Sequence, residues 1–166
     1  MIAIFIDIDG VFNTYTTKSI NTEGNVGNLN IDEDKVKQFS KIVGSTDIQL
    51  IMHSGWRFFY NDLMNPISQK SEELSKMFLR YGIEISGKTP DYSTAEIKQN
   101  KKFSLVKATE IRAWLVQHPE FDNYLVIDDL DLHDEELRQH QIRPDPTLGI
   151  TEYDIDNIIK YLSNLK

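Results

Sequence analysis

Residues 2–10 read Ile-Ala-Ile-Phe-Ile-Asp-Ile-Asp-Gly, an apolar run that meets acidic residues at its end. We interpret Ile2 to Ile8 as a strand buried on both faces, because a nearly continuous apolar run is typical of strands inside a parallel sheet. Asp7 lies at the carboxyl end of this strand, and Asp9 and Gly10 follow it directly. The pattern therefore predicts a buried strand that brings two carboxylates to one edge of a sheet.

Two later runs repeat this arrangement of an apolar strand followed by polar residues. The first, Ile48 to Met52, is followed within two residues by Ser54, and the second, Tyr124 to Ile127, by Asp128 and Asp129. Helical patterns separate the strands, and this alternation is typical of an α/β fold with a parallel sheet.

Four helices are predicted from apolar residues at helical spacing and from end signals. They cover Asp32 to Val43, Asn65 to Gly82, a segment around Ile111, Trp114 and Leu115, and a last helix that begins at Thr151. Thr151 and Asp154 form a near capping box for the last helix. We therefore predict one domain over residues 1–166, a three-layer α/β sandwich with helices on both faces of a central parallel sheet.

The composition is that of an ordinary folded domain. The 166 residues are 40% hydrophobic and 27% charged, which excludes intrinsic disorder. Lys and Arg number 18 against 26 Asp and Glu, and the net charge of −8 argues against a general nucleic-acid coat protein. With no cysteine, thiol chemistry is excluded. We see no basic leader and no apolar run of about 20 residues, so we expect a cytoplasmic protein without a membrane partner.

Polar residues gather where a parallel-sheet protein binds its ligand, outside the carboxyl ends of the strands. Five of them are placed there: Asp7, Asp9, Ser54, Asp128 and Asp129. Clustered carboxylates repel one another unless a hard divalent cation holds them, and Mg²⁺ is the natural choice. A carboxylate nucleophile, a second carboxylate for proton transfer and donors to phosphoryl oxygens are the parts of phosphoryl transfer. The pattern favours Mg²⁺-dependent chemistry on a phosphorylated substrate.

Lys107 adds a cation to this set. A lysine in the first turn of a helix opposes the helix dipole, so its position indicates a use other than stability. Neutralising a carboxylate nucleophile and an incoming phosphate is such a use, because the two would otherwise repel each other at close range.

Four segments, in chain order, resemble the motifs of the haloacid dehalogenase superfamily. Asp7-Ile8-Asp9-Gly10-Val11 resembles its first motif, DxDGV after an apolar strand. Ser54 is similar to the hydroxyl residue of the second motif, Lys107 to the lysine of the third, and Asp128-Asp129 to the acidic pair of the fourth. The resemblance implies the fold and the chemistry of a phosphatase.

The resemblance also implies a role for each matched residue. Asp7 would be the nucleophile and Asp9 the general acid and base, while Ser54 and Lys107 would bind the phosphoryl oxygens. The implied Mg²⁺ site consists of four residues: Asp7, Asp9 through its backbone carbonyl, Asp128 and the supporting Asp129.

A narrower resemblance covers most of the chain and points to small domains of this superfamily associated with nucleic-acid repair proteins. Its segments are Ser54-Gly55-Trp56-Arg57, Glu110 to Leu115, Ile127-Asp128-Asp129 and Gly149-Ile150-Thr151-Glu152. Gly55 departs from the pattern, since relatives often carry a second hydroxyl there, and one secondary contact is therefore in doubt.

Several basic residues have two interpretations. Arg57 is either a phosphate or substrate contact or one half of a surface salt bridge. Residues 87–103 form a basic loop, and its Lys98, Lys101 and Lys102 either guide an anionic substrate or belong to a solvated loop.

Three ring residues are interpreted without a catalytic role. Trp56 and Trp114 are more typical of core anchors than of base-stacking platforms. His53 is interpreted as a strand-end residue.

The stretch Thr14 to Asn30, rich in Thr, Asn and Gly, is predicted to be a flap over the sheet edge.

The favoured interpretation is a Mg²⁺-dependent phosphate monoester hydrolase that works through an aspartyl-phosphate on Asp7. Because no stretch between the motifs is long enough for an independent cap, we expect an open site and a bulky substrate, a nucleic-acid end or a phosphoprotein. Two alternatives stay open: a catalytically idle binding module, and a small-metabolite phosphatase with Thr14 to Asn30 as its lid.

Overall fold

The structure, a computed structural model, describes residues 1–14, 17, 30–44, 47–100 and 102–165. In chain order the described elements are β1 (Ile2–Ile6), α1 (Glu33–Phe39), β2 (Ile48–Met52), a 3₁₀ helix (Gly55–Phe59), α2 (Gln69–Arg80), β3 (Ile85–Lys88), α3 (Ala95–Asn100), α4 (Ser104–Gln117), β4 (Asn123–Ile127), α5 (Glu135–Gln139), β5 (Gln141–Ile142) and α6 (Glu152–Asn164).

The strands form one parallel sheet in the order β3-β2-β1-β4-β5. From β1 the chain adds β2 and β3 on one side and then crosses to add β4 and β5 on the other. The strand order therefore reverses between β1 and β4, and such a switch point is where open α/β sheets bind ligands.

Alternate residues of β1 face two separate cores. Ile4 and Ile6 pack with α1, α2 and α6 on one face, whereas Ala3 and Phe5 pack with α4 and α5 on the other. All four side chains are fully buried, which explains why β1 is apolar along its whole length. The predicted three-layer α/β sandwich is confirmed.

The strand register brings three residues to one level. Ile6 lies opposite Met52 of β2 and opposite Ile127 of β4. The residues that come next along each strand, Asp7, His53 and Asp128, therefore leave the sheet side by side. This register, rather than any local motif, places residues more than 40 positions apart in one site.

The strands Ile48–Met52 and Asn123–Ile127 agree with the prediction to within one residue, but β1 ends at Ile6 instead of Ile8. The edge strands β3 and β5 were not predicted. Their sequences, Ile-Ser-Gly-Lys and Gln-Ile, carry too little apolar content to show a strand pattern.

Two helices begin or end differently from the prediction. Helix α2 begins at Gln69, not at Asn65, because Pro66 forms a bridge with Tyr60 and Ser68 caps the helix in a capping box. Helix α1 ends at Phe39, and turns replace the predicted last turn before Gly44. The predicted Thr151–Asp154 capping box of α6 is confirmed.

The structure tests one of the two predicted loops and describes little of the other. Residues 87–103 are not one loop, since they contain the end of β3 and all of α3. Most of the predicted flap between Thr14 and Asn30, namely residues 15–16 and 18–29, lies outside the described residues. No helix in the described part of the chain has the length and apolar character needed to span a membrane.

Candidate active site

The polar residues after the strands, together with Lys107, are here called the strand-end cluster: Asp7, Asp9, Ser54, Lys107, Asp128 and Asp129. Asp7 lies at its centre and is 5% exposed. Its Oδ1 accepts a hydrogen bond from the backbone N–H of Ile8 at 2.7 Å. Its Oδ2 accepts one from Nζ of Lys107, which also donates to Oδ2 of Asp128 at 2.6 Å. One buried ammonium group therefore bridges two carboxylates that come from different strands.

Helix α4 places Lys107 in its first turn, as the sequence predicts. Burial alone would lower the pKa of this lysine, but the charges of Asp7 and Asp128 outweigh burial and raise it. Lys107 therefore stays cationic, and the two carboxylates supply the compensation that a buried ammonium needs.

The pKa of Asp7 is held below its usual value. Burial by itself would raise this pKa, but the charge of Lys107 and hydrogen bonds from Lys107 and Ser54 together outweigh it. Asp7 is therefore ionised at neutral pH, and an ionised carboxylate is the form that can act as a nucleophile.

Asp128 and Asp129 differ from Asp7 because Lys107 does not fully offset the effects that raise their pKa values. Burial and the nearby charge of Asp7 raise the pKa of Asp128 to about 7. The same two causes raise the pKa of Asp129 to about 6. An additional cation would therefore be strongly favoured here.

The donor set fits Mg²⁺. Carboxylate oxygens of Asp7, Asp128 and Asp129 all lie within 4.8 Å of one another. Mg²⁺ and Ca²⁺ prefer oxygen ligands, and carboxylates from three positions match that preference. The carboxylate of Asp9 does not belong to this group. Its predicted metal contact is through the backbone carbonyl, and that contact remains a prediction.

Gly10 fits closely against one of these carboxylates. Its φ of +76° is in the left-handed region, and a Cβ atom built there would lie 2.5 Å from Cγ of Asp129. Glycine is therefore required at this position both for its backbone conformation and for the approach of Asp129.

The carboxylate of Asp9 is exposed but held on one side. Its Oδ1 accepts hydrogen bonds from Nε1 of Trp56 at 3.1 Å and from Nδ2 of Asn13 at 2.8 Å. Trp56 is buried in the core, as predicted, but its indole N–H also orients Asp9. The prediction missed this second role, which the packing of the 3₁₀ helix against the Asp9 loop creates.

Ser54 and His53 lie behind Asp7, and both are fully buried. Ser54 caps the 3₁₀ helix by accepting from the N–H of Trp56 at 3.4 Å. Nε2 of His53 lies 3.3 Å from Oδ2 of Asp128. Burial, with the charge of Lys107, lowers the pKa of His53 to about 3, so the ring is neutral. Sequence reasoning missed this contact, which the strand register alone could have indicated.

Arg57 is not in a surface salt bridge. Nη2 of its guanidinium donates to both carboxylate oxygens of Glu110 at 3.0 Å. Arg57 is 4% exposed and Glu110 is fully buried. Burial raises the pKa of Glu110 in spite of this partner. Glu110 also accepts from the backbone N–H of Tyr92 at 2.8 Å. The pair joins the 3₁₀ helix to α4.

Among the described residues, neither Lys98 nor Lys102 forms a hydrogen bond or an ion pair with this cluster. Lys102 is exposed in the turn between α3 and α4, and Lys101 lies outside the described residues. Lys98 pairs with Asp91 at 2.8 Å. Substrate guidance by Lys101 and Lys102 remains a prediction.

A cavity of about 580 Å³, here called the strand-end cavity, opens above the cluster. Its lining includes Asp7, Asp9, Arg57, Lys107, Glu110 and Asp129. Ser54 and Asp128 are not part of the lining and support it from behind. The cavity therefore presents an ionised carboxylate, a second carboxylate and a buried cation to one small volume.

Comparison with curated proteins and comparison with solved structures each found no significant match. A family model described as "HAD domain in Swiss Army Knife RNA repair proteins" matches residues 3–155, which include every residue of the cluster. The match covers most of the chain and agrees with the resemblance read from the four motifs. The chain belongs to this family of HAD domains.

Proposed function

We propose that this protein is a Mg²⁺-dependent phosphate monoester hydrolase in which Asp7 forms an aspartyl-phosphate. Membership of a HAD family supports a phosphatase or related activity in general. The observation that carries the finer proposal is the pairing of Asp7 with Lys107, beside two carboxylates with raised pKa values and opposite Asp9 in one cavity.

Each step can be assigned to groups of this chain. The Asp7 carboxylate attacks phosphorus, the bond between phosphorus and the leaving-group oxygen breaks, and Asp9 gives its proton to that oxygen. Asp9 then takes a proton from water, whose oxygen bonds to phosphorus as the bond to Asp7 breaks. This releases inorganic phosphate and restores both carboxyl groups.

The cations at the site have separate tasks. Lys107 holds Asp7 in its ionised form and offsets charge as phosphate approaches. Asp7, Asp128 and Asp129 would hold Mg²⁺, which when bound offsets the negative charge of the phosphoryl oxygens.

The substrate side of the proposal rests on how open the site is. No separate cap domain covers the strand-end cavity in the described part of the chain, which supports a bulky phosphate ester over a small metabolite. A nucleic-acid end or a phosphoprotein would meet this requirement.

Hydrolysis of p-nitrophenyl phosphate tests the proposal. We expect turnover that requires Mg²⁺, is abolished by EDTA and is lost in Asp7→Asn. Asp122→Asn, an exposed aspartate outside the cluster, is the matched control and should keep the wild-type rate. Equal rates for wild type and Asp7→Asn would exclude the mechanism, and absence of Mg²⁺-dependent turnover in wild type would favour an idle binding module. A strong preference for free nucleotides over phosphorylated oligonucleotides and phosphopeptides would favour a small-metabolite phosphatase.

A further inference from the structure

Beside the strand-end cavity, the 3₁₀ helix exposes two consecutive aromatic rings. Phe58 and Phe59 are 41% and 37% exposed, although most large apolar side chains of the central strands are buried completely. Exposed rings next to a candidate active site are typical of surfaces that bind a partner.

Lysine side chains lie over these rings. Nζ of Lys70 is 3.9 Å from the ring centroid of Trp56 and 5.5 Å from that of Phe59. Nζ of Lys98 is 5.4 Å from the ring of Phe58 and is also paired with Asp91. In the described part of the chain Lys70 has no carboxylate in salt-bridge range, so its charge is available to an anion.

We call Phe58, Phe59, Lys70 and Lys98 the aromatic–lysine surface. In a protein with a net charge of −8, it combines exposed rings with a lysine, Lys70, that has no carboxylate partner among the described residues, whereas Lys98 is paired with Asp91. The unpaired charge of Lys70 would attract an anion locally, although the protein as a whole repels it.

Trp56 connects the surface to the chemistry. One edge of its ring donates to Asp9, and Lys70 lies over its face. In the proposed reaction Asp9 protonates the leaving-group oxygen, so the rest of the substrate leaves the cavity on the Asp9 side. Trp56 itself is buried, but Lys70 and Phe59 contact its ring and are exposed, and this chain of contacts places them on the Asp9 side.

From this arrangement we infer that the aromatic–lysine surface binds the nucleotides next to the phosphorylated end of a single-stranded nucleic acid. Exposed rings stack on bases of any identity, and lysines between them contact the backbone phosphates. A duplex keeps its base faces stacked inside, and a phosphopeptide has no regular series of flat groups to match two rings. The inference rests on the proposed function only for the phosphorylated end that enters the cavity. Binding of the strand to the aromatic–lysine surface does not depend on catalysis.

Binding can be measured without catalysis. The probe is a fluorescein-labelled single-stranded oligonucleotide of about ten nucleotides without a terminal phosphate, titrated with wild-type protein in EDTA and followed by fluorescence anisotropy. We expect Phe59→Ala and Lys70→Ala each to weaken affinity about tenfold, the range found for loss of one stacked base or one phosphate contact. Lys70→Ala should also reduce the salt dependence by about one unit of slope.

Two controls match these variants. Lys76→Ala removes another exposed lysine of α2, and Tyr153→Ala removes an aromatic side chain that is 75% exposed on α6. Both should bind the oligonucleotide like wild type. Lys70→Glu, on an exposed helix position, provides a second test if Phe59→Ala does not fold, and thermal melting identifies that case.

The outcomes separate this inference from the proposed function. If wild type hydrolyses aryl phosphates but binds the oligonucleotide no better than the Phe59 and Lys70 variants, the surface assignment is wrong and the phosphatase stands. If it binds the oligonucleotide through these residues but hydrolyses no phosphate ester, the phosphatase is wrong and the surface stands. Tighter binding of a phosphopeptide than of the oligonucleotide would also overturn the assignment.

Discussion

Nη2 of Arg57 donates to both carboxylate oxygens of Glu110 at 3.0 Å, and the ion pair is buried between the 3₁₀ helix and α4. Arg57 also donates to the backbone carbonyl of Ser54 at 3.0 Å, and Glu110 lies one helical turn after Lys107. The pair therefore sets the distance between the two elements that carry Ser54 and Lys107. We regard Arg57 and Glu110 as positioning residues.

Removal of either partner should cost more than removal of both. Arg57→Ala is expected to lower the free energy of unfolding by about 3–5 kcal/mol, because it leaves the Glu110 carboxylate buried without a counterion. The double replacement Arg57→Met with Glu110→Leu should cost much less, and urea unfolding measures both. Arg112→Ala, which breaks an exposed pair with Asp134, is the control and should cost about 0–1 kcal/mol. Additive losses in the double variant would contradict this account of the pair.

Gly10→Ala should be destabilising and should impair metal binding. The added Cβ would lie 2.5 Å from Cγ of Asp129, and the φ of +76° is strained for alanine. We expect a loss of about 1–3 kcal/mol in stability and weaker Mg²⁺ binding, measured by thermal melting with and without the ion. Gly44→Ala is the matched control, since nothing lies within 4 Å of its Cβ position. If both variants melt alike, the close packing of Gly10 on Asp129 is not important.

Mg²⁺ affinity should rise with pH. The pKa values of about 7 for Asp128 and about 6 for Asp129 lie above the ordinary aspartate value, so each metal-free carboxyl keeps its proton up to that pH. Mg²⁺ must displace these protons, and its apparent affinity should therefore increase from pH 5 to about pH 8 and then level off. Isothermal titration calorimetry in buffers of different ionisation enthalpy would show the proton release. A pH-independent affinity with no protons released would exclude Asp128 and Asp129 as ligands with raised pKa values.

Loss of the proton donor should depend on the leaving group. Asp9→Asn is expected to slow hydrolysis of phenyl phosphate far more than hydrolysis of p-nitrophenyl phosphate, because nitrophenoxide departs without protonation. Trp56→Phe removes one donor that orients Asp9 and should give a smaller loss in the same direction. The measurement is kcat/KM on the two esters, which reports the first step and not the later hydrolysis of the aspartyl-phosphate that both esters share. An equal loss on both substrates would argue that Asp9 does not protonate the leaving group.

The sequence predicts the central strands and the acidic cluster well for one physical reason. Strands buried on both faces need continuous apolar runs, so β1, β2 and β4 are visible locally, and the polar residues after them mark one edge of the sheet. The edge strands β3 and β5 carry no such run. Their pairing partners, rather than their own residues, define them as strands.

Contacts between distant residues account for what the sequence could not predict at the site. The sequence leaves two interpretations of Arg57, a surface salt bridge and a phosphate or substrate contact, because its partner Glu110 is 53 positions away. His53 gained its neighbour Asp128 only through the register of β2 and β4 against β1. Trp56 was correctly predicted as buried, but no local pattern indicates that one edge of a buried ring reaches a carboxylate.

Chemical trapping of the intermediate tests the central claim most directly. The protein is mixed with Mg²⁺ and p-nitrophenyl phosphate, quenched in acid, and reduced with borohydride, which converts an aspartyl-phosphate to homoserine. Peptide mass spectrometry should find homoserine at position 7 in wild type and not in Asp7→Asn. Turnover of the ester with unmodified Asp7, or with homoserine at another aspartate, would contradict the proposed nucleophile.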